Sequence, residues 1–221
     1  MICPNCSSRN VNLYCNLSTI IFKNSYSIYS CKACLVGFIT PKLDLDLNHY
    51  EDAVRPEVVS EDLLDSIREY LRFIIQCFIN KNGRAPYSLL DVGCGNGLML
   101  SVAKELGLDV MGIEPSRGMY NEAKRKGLNV MNCCLEDFNG YHKYDLVVLN
   151  SVIEHLQTPN KTLDLLYSRV SESTLVVFQQ AVFDGLLPRL FRWFWYGWSP
   201  SEHYFHYTIN SFSTLVEQHG W

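Results

Sequence analysis

The chain has no basic surplus. Its 221 residues hold 19 Lys and Arg against 23 Asp and Glu, a formal net charge of −4. Proteins that grip nucleic acid usually carry an excess of cations, so nucleic acid is disfavoured as a partner. The sequence also lacks any run of 18 or more apolar residues, which excludes a transmembrane helix but leaves peripheral contact with a membrane open. Its first residues, Met1-Ile2-Cys3-Pro4, have neither the basic start nor the long apolar stretch of a secretory leader. A cytoplasmic location is the expectation. In that compartment nine cysteines serve as thiols or metal ligands rather than as disulfides.

Apolar residues are plentiful, at 48%. That is enough to build a substantial core, and the length suits one domain plus a small appendage. The appendage is residues 1–40. Cys3-Pro4-Asn5-Cys6 and Cys31-Lys32-Ala33-Cys34 are two C-x-x-C pairs. Each pair can sit on a tight turn with both sulfurs facing one ion, and four thiolates make the closed tetrahedral set of a structural zinc site. Stretches 11–15 and 26–30 between the pairs have strand-like composition, so the segment reads as a zinc ribbon. Forty residues with few large apolar side chains cannot fold on core burial alone, and Zn2+ would supply the missing free energy. The other five cysteines, Cys15, Cys77, Cys94, Cys133 and Cys134, show no ligand spacing and read as small apolar residues.

Residues 41–84 read as a linker and a covering helix. Leu43, Leu45 and Leu47 alternate and allow a short edge strand, and Tyr50 is a candidate to face the main site. Leu63, Leu64, Ile67, Leu71, Ile74, Ile75 and Phe78 recur at helical spacing, which predicts a helix over 57–80 stopped by Asn82-Gly83. From residue 88, strands and helices alternate. Strands are predicted at 88–92, 109–113, 129–133, 144–150 and 174–179, with helices at 98–106, 117–126, 159–170 and 209–219. Such alternation specifies an α/β fold with a doubly wound, mostly parallel sheet.

The stretch Leu90-Asp91-Val92-Gly93-Cys94-Gly95-Asn96-Gly97 joins a strand to a helix through a glycine turn, the outline of a nucleotide-cofactor cradle. A dinucleotide site has G-x-G-x-x-G spacing; here it is G-x-G-x-G. Asp91 stands two residues before the first glycine, where it would repel a pyrophosphate and attract an ammonium group. S-adenosylmethionine carries an ammonium and a sulfonium and no phosphate. Glu114 ends the second strand, where a carboxylate can accept from ribose hydroxyls. Glu136-Asp137 follow the third strand, where an acid can accept from an adenine amino group. Asn150 ends the fourth, near the methionine end of such a cofactor. In a parallel sheet these strand ends line one crevice.

With Gly112-Ile113-Glu114-Pro115-Ser116, Leu135-Glu136-Asp137 and the run from Tyr144 through Glu154-His155-Leu156, residues 85–221 resemble the class I S-adenosylmethionine-dependent methyltransferases, which have a Rossmann-like fold. The resemblance implies that Gly93, Cys94, Gly95 and Gly97 approach the cofactor. It also implies that Glu114, with Pro115 beside it, holds the ribose and that Leu135 and Asp137 flank the adenine. In this family the Glu154-His155 pair often braces the loop after the fourth strand, and His155 is a further candidate for a catalytic role.

The acceptor side falls to residues 182–207. Phe191-Arg192-Trp193-Phe194-Trp195-Tyr196-Gly197-Trp198 reads as a lid, a partner surface or a membrane contact, and Arg189 and Arg192 would suit a phosphate-bearing or lipid-linked acceptor. The run Ser201-Glu202-His203-Tyr204-Phe205-His206-Tyr207 is similar to one in methyltransferases of sugar and surface-polysaccharide pathways, some of which also carry an N-terminal four-cysteine zinc domain. A histidine of near-neutral pKa can take the acceptor's proton. This makes His203 the candidate base, positioned by Tyr204 and Glu202. Methyl transfer to a small polar acceptor, a nucleotide sugar or glycan precursor, is the expected function. An RNA methyltransferase that reads through the ribbon, and a non-catalytic binding module of the same fold, are its rivals. The fold's closing β-hairpin is expected to be missing, since the chain stops at Gly220-Trp221. Oligomeric state is left open.

Overall fold

The computed structural model describes residues 1–17, 25–41, 59–138 and 144–221. The edge strand expected at Leu43, Leu45 and Leu47, and Tyr50, lie outside them. In chain order the described elements are β1 (Val11–Asn16), β2 (Ser27–Cys31), β3 (Gly37–Thr40), α1 (Glu61–Asn82), β4 (Ser88–Val92), α2 (Leu98–Glu105), β5 (Asp109–Ile113), α3 (Arg117–Arg125) and β6 (Val130–Met131). They continue as β7 (Leu146–Asn150), α4 (Pro159–Arg169), β8 (Leu175–Gln179), α5 (Leu186–Phe191), β9 (Phe205–His206) and α6 (Ile209–Gln218). They form two compact units that do not follow chain order. One contains the described parts of 46–150 with 165–179; the other contains those of 1–45 with 151–164 and 180–221.

The first unit is built on a five-stranded sheet of order β6-β5-β4-β7-β8, parallel throughout. β4 is central, and the winding direction reverses beside it, the point where such sheets open a crevice at their carboxyl ends. Leu71, Ile74 and Phe78 of α1 share a buried core with Leu89, Leu100, Ala103, Leu146 and Val148, each large side chain contributing about 1.5–3 kcal/mol. α1 starts at Glu61 rather than 57 because Ser60 caps it, its side chain accepting from Leu63 N at 3.2 Å. Gly83 ends it in the left-handed conformation, as Asn82-Gly83 predicts. β6 has two residues where five were expected. Past Met131, Asn132 leaves the ladder and donates its side-chain amide to the carbonyls of Glu114 and Pro115, both at 2.9 Å.

The second unit corrects the picture of the ribbon. Its sheet has the order β1-β2-β3-β9, with antiparallel neighbours. β3 was not expected, and the fourth strand comes from the far end of the chain: Gly37 pairs with His206 and Phe38 with Phe205. Nor do residues 1–40 lack an apolar core. Cys15, Leu17, Ile28 and Ile39 pack with Phe183, Trp195 and Trp198. The aromatic segment is therefore divided, with Trp195 and Trp198 buried and Phe191, Trp193 and Phe194 exposed. A bulge between Leu13 and Cys15 lets consecutive residues turn the same way, so that Tyr14 and Cys15 both meet this core.

Two glycines of the β4–α2 loop separate strain from space. Gly95 and Gly97 both have positive φ, at 54° and 76°. A Cβ on Gly95 would meet nothing within 4 Å, whereas one on Gly97 would lie 2.4 Å from Leu128 Cδ1. Gly95→Ala is expected to cost about 1 kcal/mol of stability, from backbone strain alone. Gly97→Ala should cost about 3 kcal/mol, because overpacking adds to the strain. Urea denaturation of both variants checks the difference.

Candidate functional site

In the first unit the strand exits expected to form the crevice stand together at one edge of the sheet. β4 delivers Asp91 and the glycine loop, β5 delivers Glu114, β6 leads to the turn Leu135–Asp137, and β7 ends at Asn150. Parallel strands share a direction, so each carboxyl end opens on the same side. Glu114 joins two of these exits. One carboxylate oxygen accepts from Gly95 N at 2.7 Å and the other from Ser116 N at 2.8 Å. The loop is further held by Gly93 N and Cys94 N, which both donate to Ile113 O, at 2.8 and 3.0 Å. Cys94 packs beneath the loop, where its sulfur fills the space left by the missing side chain of Gly112.

Asp91 and Glu114 are 3% and 7% exposed. Burial, with the Glu114 charge adding to it, pushes the Asp91 carboxyl up to about 8. Burial also raises Glu114, opposed by the amide bonds from Ser116 and Gly95. Two desolvated carboxyls side by side form a site that gains from an arriving cation. Around the next exit Leu135 is buried while Glu136 and Asp137 are exposed. The Cys134 thiol, raised to about 11 mainly by burial, also feels Glu136, Asp137 and Glu114, which sets the three acids in one neighbourhood. Pro115 lies within the tether formed by Asn132.

One residue of this edge escaped the sequence reading. Tyr70 of α1 donates its hydroxyl to Asn150 Oδ1 at 3.1 Å, while the Asn150 amide nitrogen lies 3.1 Å from Met99 Sδ. Burial, then the Asp91 charge, raises the phenol to about 12, so it stays a donor. Helical periodicity marked the apolar face of α1 but gave no sign that this tyrosine reaches the end of β7.

In the second unit the acceptor-side candidates gather around the turn Ile153–His155. Tyr204 N donates to Glu154 O at 2.9 Å, and Gln157 Nε2 donates to the Tyr204 hydroxyl at 2.8 Å. The rings of His155 and His203 meet edge to face, with centroids 4.7 Å apart. A ligating atom from each of Glu154, His155 and His203 lies within 4.8 Å of the others. His203 Nδ1 lies 3.1 Å from Gly197 O; donating there leaves Nε2 as the acceptor nitrogen. The near-neutral pKa expected of His203 is not retained. Burial lowers it to about 4, helped by His155 and opposed by the Glu202 charge. Burial raises Glu154 to about 7 and holds His206 well below the usual histidine range. Glu154 Oε2, His206 Nε2 and the Tyr207 hydroxyl are buried without a hydrogen-bond partner among the described residues.

The four cysteines of the two C-x-x-C pairs also converge. Cys3 and Cys34 sulfurs are 3.7 Å apart and those of Cys6 and Cys31 are 3.6 Å apart. A disulfide needs about 2.05 Å. A tetrahedral ion with Zn–S bonds of about 2.3 Å sets its sulfurs about 3.8 Å apart. Burial alone would raise the Cys31 thiol, but the backbone N–H groups of Cys34 and Ala33 and the neighbouring thiols outweigh it and leave about 7.

Against known proteins, residues 63–221 match a family model described as Methyltransferase domain. The ubiquinone biosynthesis O-methyltransferase of Nitrobacter winogradskyi is 32% identical over 89 residues, 38% of this chain and 34% of that protein. The mitochondrial ubiquinone biosynthesis O-methyltransferase of Saccharomyces cerevisiae is 26% identical over 142 residues, 59% of this chain and 44% of its own length. The chain thus spans a third to under half of these curated relatives. Among solved structures, the plantazolicin methyltransferase BamL, in complex with a triazolic desmethylPZN analog and SAH, has a TM-score of 0.60 at 19% identity. That likeness covers 72% of this chain and 64% of the other; at this identity it speaks for the fold. The family match takes in the whole parallel sheet with its glycine loop and strand exits, and the chain belongs to this methyltransferase-domain family.

Proposed function

We propose that this chain transfers the methyl group of S-adenosylmethionine to a small polar acceptor. The observation that carries the reading is the pair of buried carboxyls, Asp91 and Glu114, at the glycine loop. Asp91 and Asn150, the latter steadied by Tyr70, would take the methionine end. Glu114 would use its remaining lone pairs on the ribose hydroxyls, Gly93 to Gly97 would let the cofactor approach the backbone, and Leu135, Glu136 and Asp137 would border the adenine. The cofactor supplies an activated methyl group, so the protein's remaining work is to orient the acceptor and accept its proton. For that proton we assign His203 through Nε2. The Glu202 charge is the one that would stabilise an imidazolium there, with Glu154, His155 and Tyr204 around it. The Cys3, Cys6, Cys31 and Cys34 set fits a structural Zn2+, since four thiolates leave no open position for a substrate. We place the chain in the cytoplasm, where its nine free cysteines would stay reduced. Among the described residues no helix is long and apolar enough to cross a membrane.

For the acceptor, the run from Glu202 to Tyr207 and the four-cysteine segment favour a nucleotide sugar or glycan precursor, and the O-methyltransferase relatives favour a hydroxyl as the methylated group. A panel of nucleotide sugars incubated with methyl-labelled cofactor separates a sugar acceptor from a phenolic one.

Three measurements test the rest. Calorimetry with S-adenosylhomocysteine should show binding, and Asp91→Asn should weaken it roughly 10- to 100-fold, about 1.4–2.8 kcal/mol. Absence of binding at millimolar ligand would favour the non-catalytic reading. The Asp91 pKa is raised above its ordinary value, so its protonated form supports the ligand-free fold and that support fades as pH climbs from about 4 to about 8. A bound cation favours the ionised form. Affinity should therefore rise with pH up to about 8, with a proton released that Asp91→Asn no longer releases. For the metal, elemental analysis should give one zinc per chain, lost in Cys31→Ser. For His203, the sign is opposite: its pKa is depressed, so stability falls as pH drops from about 6.5 towards about 4. Its ring resonance should keep the neutral-form shift at pH 5.5; titration near 6.5 would contradict the buried geometry.

A further inference from the structure

The segment 186–194, Leu186-Leu187-Pro188-Arg189-Leu190-Phe191-Arg192-Trp193-Phe194, has two sides of different character. Its inner side is anchored. Pro188 is buried, and Trp195 and Trp198, just beyond the segment, pack in a core with Phe183 and Tyr14. Trp198 donates its indole N–H to Arg192 O, and Arg192 reaches Tyr14 O at 3.2 Å. The outer side is bare. Leu186, Leu187, Leu190, Phe191, Trp193 and Phe194 are all 47–72% exposed, and six consecutive residues, 189–194, face solvent. Scattered exposed apolar residues are ordinary; a contiguous group held out by a buried aromatic footing marks an interaction surface.

Charge selects the partner. From 185 to 201 the sequence contains Arg189 and Arg192 and no acid, in a chain whose net charge is −4. A second copy meeting this face by two-fold symmetry would bring four arginines together, which disfavours self-association. An anionic lipid surface complements the face instead. Leucine and phenylalanine enter the acyl boundary, tryptophan favours the interface, and arginine pairs with lipid phosphates.

We propose that residues 186–194 are a docking surface for an anionic membrane, holding the protein peripherally. The proposal is independent of which acceptor is methylated. The test is co-sedimentation of the full chain with vesicles of phosphatidylglycerol and phosphatidylcholine, and with phosphatidylcholine alone. Expected are binding to the anionic vesicles, at least a tenfold loss in 0.5 M salt or on phosphatidylcholine alone, and at least a tenfold loss in Leu190→Asp. Arg189→Gln should weaken binding about fivefold, the equivalent of about 1 kcal/mol per basic residue at such a surface. All replaced side chains are exposed, and unchanged near-ultraviolet circular dichroism verifies each fold. No binding to anionic vesicles, or equal binding to neutral ones, would overturn the proposal. So would a concentration-dependent dimer, abolished by Leu190→Asp, in protein that ignores vesicles; that result would assign the face to a second copy.

Discussion

Two carboxyl groups removed from water set the terms for the parallel-sheet unit. Asp91 and Glu114 lie at the ends of the paired strands β4 and β5, in surroundings that disfavour their charge. Glu114 offsets part of this cost by accepting backbone N–H bonds from Gly95 and Ser116. Those bonds hold the glycine loop and the exit of β5 in one arrangement before any ligand arrives. Among the described residues Asp91 has no comparable compensation, and burial with the Glu114 charge pushes its carboxyl up to about 8. A site of this kind is preorganised in geometry and unsatisfied in charge, a combination that selects a cation over a phosphate.

The other unit solves a different problem. A four-cysteine segment is usually too small to fold on burial alone, and here it adds two remedies to its cluster of four thiols. Trp195, Trp198 and Phe183 complete its apolar core, and β9 extends its sheet. The same pairing fixes Phe205 and His206, while Glu154 holds the backbone of Tyr204 from the other direction. The histidines around the turn Ile153–His155 thus owe their positions to residues near the amino terminus, through main-chain hydrogen bonds that no local pattern announces. Their burial also changes their chemistry, because an imidazole deprived of water resists protonation.

Much of the fold, and the grouping of residues at the strand ends, was legible in the residues. Apolar runs of five separated by helical periodicity are hard to satisfy except by a parallel sheet, and α2 and α3 differ from expectation by one residue at their ends. Asp91, Glu114 and Asn150 could be located because strand ends in such a sheet all open on one side. The two C-x-x-C pairs converge as their spacing suggests. Tyr70 was not legible, since its importance lies in a contact 80 residues away. Nor was β3, whose four residues, Gly37 to Thr40, become a strand by pairing with β2 and with a dipeptide from the far end of the chain.

By itself the sequence determined the order of strands and helices, the glycine turn with its acids, and the four-thiol set, because each depends on local periodicity or on short fixed spacing. Tertiary structure alone decided that the ribbon shares a core with the aromatic segment, and which of those aromatics stay buried and which face outward. It also decided that His203 sits far from its ordinary pKa. These outcomes arise from burial and from partners distant in the chain, and desolvation is a property of a place in the fold rather than of a residue type.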